Sequence, residues 1–376
     1  MLSERVAAMA VNDRVCALYI DEVSLKAHVD FDRKRKRFIG LGHNVETKKT
    51  EHYSEAIVFM LGGLKKKWRQ AIGYFFCVNA MIGQDIYEKL KICLDKVFST
   101  GLRIKVLSCD QGSNFNHLFG LLGISLNMPY FLYGTEKIFV APDPPHLLKS
   151  ARNCLLKNDI STSSGTAKWK DIELLFELEK EKVVRMAPKL SEKHINPPPI
   201  WGKMKVRLAA QVLSHSVSAA LKSYEACNDL SESARETAEF CAKMNNIFDC
   251  LNTNTQFSPC PLKRAISPIT TPETYEFIEE ALKWLRSWKI YDKKNNVINS
   301  RFKFLDGLCL ALKVVAALSI DLAEHYDFSY FMSRRIFTDS LENFFLVLLG
   351  PKEGSIATLH ATDFNVHLNK LSLIRC

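Results

Sequence analysis

Two strand-like apolar runs in this chain each end in an aspartate, and this limits the possible folds more than any bulk property. Val15-Cys16-Ala17-Leu18-Tyr19-Ile20 leads into Asp21, and Ile104-Lys105-Val106-Leu107-Ser108-Cys109 leads into Asp110. Short apolar runs bounded by polar residues read as buried strands. A carboxylate at the end of such a strand sits at the rim of a sheet, where neighbouring strands can deliver side chains to one point. A third acid, Glu342 in Asp339-Ser340-Leu341-Glu342-Asn343, falls on a helical segment near the far end of the 376 residues. Carboxylates from such elements can hold two divalent metal ions, and a metal pair clamps the attacking and leaving oxygens of a phosphodiester. The pattern points to phosphoryl transfer on nucleic acid.

Strand-like and helix-like segments alternate from Val15 to Leu155. The spacing predicts strands over residues 15–23, 38–42, 72–78, 103–108 and 137–141. The second of these, which follows the basic run Arg33-Lys34-Arg35-Lys36-Arg37, is expected to be the hairpin partner of the first. Helices are expected over 82–100, where Ile86, Leu90, Ile92, Cys93, Val97 and Phe98 recur at helical spacing, and over 114–123 and 144–156. Three early strands, then helix, strand, helix, strand, helix is the element order of a ribonuclease H-like fold. From Ala167 to about Glu324 the chain is mostly helical, with segments 168–186, 203–224, 232–251, 275–288 and 305–321. Asn196-Pro197-Pro198-Pro199 and the Pro/Ser/Thr-rich residues 258–274 break this block. The expected architecture is α/β: a ribonuclease H-like domain over 1–157 and 329–376, interrupted by a large, mostly α-helical insertion domain over 158–328. At roughly 170 residues the insertion is long enough to fold as a domain of its own.

The formal net charge of +10 favours a polyanionic partner. Eleven cysteines lie scattered with no Cys-x-x-Cys pair, which fits reduced thiols better than a disulfide framework or a zinc site. The N-terminus has no signal-peptide layout. The most apolar long window, 304–323, contains Asp306, Lys313 and Asp321, so it reads as a core helix and not a membrane span. A cytosolic or nuclear protein with no membrane partner is expected.

Several phrases occur in a familiar order. They are Asp21-Glu22-Val23-Ser24-Leu25-Lys26, Lys65-Lys66-Lys67-Trp68-Arg69-Gln70, Cys109-Asp110-Gln111-Gly112-Ser113-Asn114, Asp143-Pro144-Pro145-His146-Leu147-Leu148-Lys149, Lys203-Met204-Lys205-Val206, Asn246-Ile247-Phe248-Asp249-Cys250-Leu251-Asn252 and Asp339-Ser340-Leu341-Glu342-Asn343-Phe344. In these the chain resembles the P-element family of DNA transposases, including the transposase-like part of THAP-domain proteins. The resemblance implies a ribonuclease H-like catalytic domain with a helical GTP-binding insertion. It places the catalytic acids and metal ligands, for Mg²⁺ or Mn²⁺, at Asp21, Asp110 and Glu342. Asp339 would be an accessory acid one turn before Glu342. It matches Phe248, Asp249 and Asn252 to the residues that read guanine. A carboxylate can accept both guanine N1–H and the 2-amino group, a donor pair that adenine lacks, and a phenylalanine can stack on the base. The partners implied are DNA (transposon ends and target) and further copies of the chain, with GTP as assembly cofactor, in the nucleus. No Gly-x-x-x-x-Gly-Lys-Ser/Thr loop is present, which argues against a hydrolysing P-loop NTPase.

Each site also has a plainer reading. Asp110 can begin a helix, and Asp339 can be an N-terminal helix charge. Lys203 and Arg207, four apart on one helix face, meet nucleotide phosphates or stay solvated, and Lys189 is a weaker candidate of the same kind. Asp30 and Asp32 suit a turn. His146 orients an acid, contacts DNA or makes a structural hydrogen bond. The runs Arg33–Arg37 and Lys65–Lys67 either meet DNA phosphate or form a solvated face and a protected strand edge. Two departures from the family stand out. The chain begins almost at the catalytic domain, so the family's N-terminal zinc finger and oligomerisation helices are expected to be absent. The segment Phe344-Phe345-Leu346-Val347-Leu348-Leu349 is apolar where the family is usually basic. They keep a second reading in play, a truncated or domesticated, non-catalytic DNA- or GTP-binding protein. A cellular ribonuclease on the same fold is a third.

Overall fold

Strand β1 (Val15–Ser24) is buried on both faces from Val15 to Ile20, which requires a central place in a sheet. It lies in the middle of six strands. Four short strands follow it and form two side ribbons: β2 (Asp30–Asp32) pairs with β3 (Arg37–Ile39), and β4 (Leu41–His43) pairs with β5 (Thr50–His52). The main sheet then takes β6 (Glu55–Gly63), β7 (Arg69–Cys77), β8 (Arg103–Cys109), β9 (Tyr130–Tyr133) and β10 (Glu136–Pro142), in the order β7-β6-β1-β8-β10-β9. β1, β8 and β10 are parallel, while β6, β7 and β9 run antiparallel to their neighbours. The antiparallel partner of β1 is therefore β6, and not residues 38–42, which fall in the side ribbons. The reason is burial. β6 has eight buried residues from Ala56 to Gly63, whereas Phe38 is 66% exposed.

This computed structural model describes residues 2–33, 36–44, 47–198, 204–292, 294–339, 341, 344–345 and 361. The chain divides into two units. The first comprises Met1–Asp143, Ile320–Phe331 and Arg335–Cys376, and the second Pro144–Ser319 and Met332–Arg334.

In the first unit, helices α1 (Leu2–Ala7), α2 (Gly83–Phe98) and α3 (Ser113–Leu121) accompany the sheet. The stripe Ile86, Leu90, Cys93, Leu94 and Val97 of α2 joins Phe115, Leu118 and Phe119 of α3 in one core. From β1 this core takes Cys16, Leu18 and Ile20, and from β8 Leu107 and Cys109. Alternate residues of a strand point to opposite faces, so the odd-numbered Tyr19 and Asp21 face away from the helices. The ladder between β1 and β8 carries one irregularity. Cys16 is opposite Ile104 but Ala17 is opposite Val106, leaving Lys105 as a bulge. The Lys105 ammonium is buried, 2.9 Å from Asp321 and 3.7 Å from Glu136, and lies over the Tyr326 ring. The lysines 65–67 form the β6–β7 hairpin loop. Two of them have partners inside this unit, Lys66 with Asp13 at 2.6 Å and Lys65 with the Asp327 carbonyl at 3.2 Å.

The second unit holds α4 (Pro144–Leu155), α5 (Trp169–Glu179), α6 (Glu192–Ile195), α7 (Val206–Val212), α8 (His215–Ala226), α9 (Ser233–Leu251), α10 (Pro272–Arg286) and α11 (Lys303–Tyr326), whose last residues from Ile320 belong to the first unit. Strands β11 (Asp159–Thr162), β12 (Gly165–Ala167) and β13 (Lys289–Tyr291) make a small sheet. The single helix expected over 203–224 is two helices. The Ser214 hydroxyl accepts the Val217 amide and starts α8 afresh, while the apolar spacing runs on across the break. Phe240, Trp284 and Trp288 pack with ring centroids 5.0 to 5.6 Å apart. The Asp171 carboxylate is buried and accepts hydrogen bonds from Ser233 at 2.9 Å and Thr237 at 2.6 Å, tying α5 to α9.

Among the described residues no helix is long and apolar enough to cross a membrane, and all ten described cysteines are free thiols. Burial pushes Cys154, Cys241 and Cys250 up to about 12, which suits core residues and not nucleophiles.

Candidate functional site

Asp21 and Asp110 are brought to one level by strand register. Tyr19 is opposite Ser108 across the β1–β8 ladder, so two residues further along each chain Asp21 and Asp110 stand side by side. Ala141 of β10 is opposite Ser108 as well, and two residues on is Asp143. β8 and β10 thus run directly into aspartates, and the neighbouring parallel β1 carries Asp21 at the same level, three residues before its own end. Asp21 and Asp110 are half-buried and Asp143 is 1% exposed. The Asp110 carboxylate accepts the Gly112 amide at 2.8 Å, and Gly112 caps α3, so Asp110 shapes the turn into the helix without itself being the cap residue.

A fourth carboxylate, Glu22, was not singled out from sequence. It lies on the opposite face of β1 from Asp21, diagonal to Glu55 across the β1–β6 ladder. Burial, then the charges of Glu55 and Asp110, push its acid up to about 7, and a hydrogen bond from Asn114 pulls it back. Burial raises Glu55 too. The Glu22 Oε1 and Glu55 Oε2 atoms are buried and have no hydrogen-bond partner among the described residues. The Cys109 thiol, between these acids, rises well above its ordinary value through burial and the charges of Asp110, Asp21, Asp143 and Glu22. The end of β8 is therefore a concentration of negative charge. The pairing of Glu22 with Glu55 was invisible without knowing that β6 is the neighbour of β1.

Asp339 belongs to this unit, close enough for its charge to oppose ionisation of the buried Tyr19 hydroxyl, which donates a hydrogen bond to the Arg335 carbonyl. Glu342 lies outside the described residues. Among those described, no three His, Cys, Asp or Glu side chains are grouped closely enough to hold a metal ion by themselves.

In the helical unit, Phe248 and Asp249 lie on one face of α9 with Asn245, at i+3 and i+4, and Asn252 is the non-helical residue that closes the helix. Asp249 accepts the Asn245 amide at 2.7 Å and has the Lys263 ammonium at 3.5 Å. Burial raises its acid, opposed by Lys263 and Asn245. The Asn252 side-chain carbonyl accepts from the Arg334 guanidinium at 3.3 Å. Lys263 and Arg334 are additions that only the fold supplies. Arg207 is exposed on α7, and its charge is felt at His194. Lys189 is exposed, and among the described residues no hydrogen bond or ion pair joins either cation to Asp249. Lys203 lies outside the described residues.

Comparison with known proteins matches these two regions separately. Residues 1–123 match the TNP-like, RNase H N-terminal domain, and residues 145–264 match the TNP-like, GTP-binding insertion domain. The chain is 26% identical over 350 residues to the Transposable element P transposase of Drosophila melanogaster, which covers 89% of this chain and 42% of that protein. The chain belongs to the P-element transposase family. It is likewise 26% identical over 287 residues to the human DNA transposase THAP9, covering 71% of this chain and 30% of that protein. It spans less than half the length of either relative. Its fold matches the Drosophila P element transposase strand transfer complex with a TM-score of 0.82 at 22% identity, over 98% of this chain and 79% of that one. The expected architecture, a ribonuclease H-like domain with an inserted GTP-binding domain, is the one this family has.

Proposed function

We propose that this chain is a metal-dependent polynucleotidyl transferase core that cleaves DNA and joins strands, with GTP as assembly cofactor. The observation that supports it best is the register of adjacent parallel strands that brings Asp21, within β1, level with Asp110, just past the end of β8. Hard divalent ions prefer oxygen ligands, and Mg²⁺ is commonly held by one or two carboxylates with water and substrate phosphate completing the shell. Two aspartates with a third acid, Glu342, are the oxygen donor set that such an ion takes. When bound there, Mg²⁺ or Mn²⁺ supplies Lewis-acid polarisation of the phosphodiester.

In this reading Asp21 and Asp110 orient the scissile phosphate, Glu342 completes the set, and Asp339 is an accessory acid. In the insertion, Asp249 accepts the guanine N1–H and 2-amino group, Phe248 stacks on the base, and Asn252 borders the site. Lys203, Arg207 and Lys189 are the candidate phosphate contacts. DNA transposon ends and target, a homo-oligomeric assembly and a nuclear setting belong to the same proposal, in keeping with the family and with the net charge of +10.

The test is calorimetric titration with GTP, ATP and XTP on the wild type and Asp249→Asn, followed by Mn²⁺-dependent cleavage of transposon-end DNA by the wild type and Glu342→Gln. The expected outcome is GTP binding that turns toward XTP in Asp249→Asn, with cleavage lost in Glu342→Gln. Cleavage untouched by Glu342→Gln would defeat the catalytic assignment. GTP binding without any cleavage would favour a regulatory binding protein.

A further inference from the structure

We propose that Asp143 is a positioning residue, whose carboxylate holds the segment bearing Asp339 at the level of Asp21 and Asp110. The inference rests on the metal-dependent reading above. Asp143 follows β10 directly, and its amide donates to the Cys109 carbonyl at 2.9 Å, so its backbone is fixed beside Asp110. Its side chain, 1% exposed, accepts the Thr338 amide at 2.9 Å across 195 residues of sequence. The Thr338 carbonyl in turn accepts the Leu341 amide at 2.7 Å, closing the turn that contains Asp339. Tyr19, on the same sheet face, reaches the same segment at the Arg335 carbonyl.

Two side chains thus tie residues 335–338 to the rim of the sheet, one through a carbonyl and one through an amide. Buried Ile336, Phe337, Thr338 and Leu341 pack the segment in place. A buried carboxylate is costly unless hydrogen-bonded, and a charged acceptor on a backbone amide is stronger than a neutral one. Placing that bond three residues before Leu341 fixes the start of the turn and therefore the backbone that carries Asp339.

The experiment measures two quantities on the full chain without DNA: Mn²⁺ affinity by calorimetry, and hydrogen exchange at Thr338 and Leu341. The variants are Asp143→Ala, Asp143→Asn, which keeps an acceptor oxygen, and Asp21→Asn. Outer-shell partners commonly change metal affinity by about tenfold to a hundredfold. Asp143→Ala is expected to weaken Mn²⁺ by about tenfold or more and to speed exchange at both amides, while Asp143→Asn restores both toward the wild type. Faster exchange with unchanged Mn²⁺ affinity in Asp143→Ala, when Asp21→Asn abolishes binding, would overturn the proposal alone. Equal loss in Asp143→Asn and Asp143→Ala would also overturn it, because charge and not the hydrogen bond would then matter. Mn²⁺ binding unaffected by Asp21→Asn would remove the metal reading, and this proposal with it. Should Asp143→Ala fail to fold, Thr338→Pro removes the amide donor while leaving Asp143 in place and is expected to give the same loss, and unaltered affinity there refutes the clamp.

Discussion

Replacing Glu22 with glutamine should stabilise the sheet at neutral pH and leave it unchanged in acid. Glu22 is raised from an ordinary value of 4.5 to about 7, first by burial and then by Glu55 and Asp110. The folded state therefore holds its proton more tightly than the unfolded chain between those two values. Stability from this group is greatest below pH 4.5, falls as pH rises through the window, and stays low above 7. The full shift corresponds to roughly 3.4 kcal/mol at 1.36 kcal/mol per unit. Glu22 is only half-buried, and screening by solvent reduces this to about 1.5 kcal/mol. Hydrogen-exchange mass spectrometry of residues 15–24 in urea, with EDTA present, reads the opening free energy of this sheet separately from the helical unit. Glu22→Gln should gain about 1.5 kcal/mol at pH 8 and nothing at pH 4.5. A gain equal at both pH values, or none at pH 8, would refute the argument that the acids repel one another at the end of β8.

Three further outcomes are expected. Lys105→Met removes the cation between buried Asp321 and Glu136 and should cost about 3–5 kcal/mol in a urea melt followed by the same exchange method. Asp171→Ala leaves the Ser233 and Thr237 hydroxyls without their acceptor. It should lower the stability of the helical unit by about 2–3 kcal/mol, read by tryptophan fluorescence. GTP affinity should fall as pH drops through the raised Asp249 acid, because only the carboxylate accepts from guanine. Calorimetry at successive pH values checks this, and Asp249→Asn should abolish the dependence.

Much of the first unit was legible in the sequence. β1, β7, β8, β10, α2 and α3 fall where period and punctuation put them, because each is a short run with one clear signal. β6 was not read, since Ala56 to Gly63 is continuously apolar, and such a run has no alternation to distinguish strand from helix. The error at residues 38–42 follows from that omission, as the basic run Arg33–Arg37 looked like the turn of the first hairpin. The break at Ser214 was hidden for the opposite reason: apolar spacing continues across it, and one hydroxyl decides. Asp21 and Asp110 stood out because each follows an apolar run, although β1 itself continues to Ser24. Glu22, Glu55, Lys263 and Arg334 enter only through pairing and packing, which single-chain spacing does not encode.

The bulge at Lys105 has a consequence at the other end of β8. Were the ladder regular, Ala17 would face Lys105, every later pair would shift by one, and Asp21 would stand level with the Cys109 thiol. The extra residue resets the phase of the strand so that a carboxylate, and not a thiol, arrives beside Asp21. The buried ion pair that anchors Lys105 to Asp321 thus acts as a timing mark for a site several residues away. Removing that one residue from the chain would change which chemical group is presented at the rim without touching any residue that presents it.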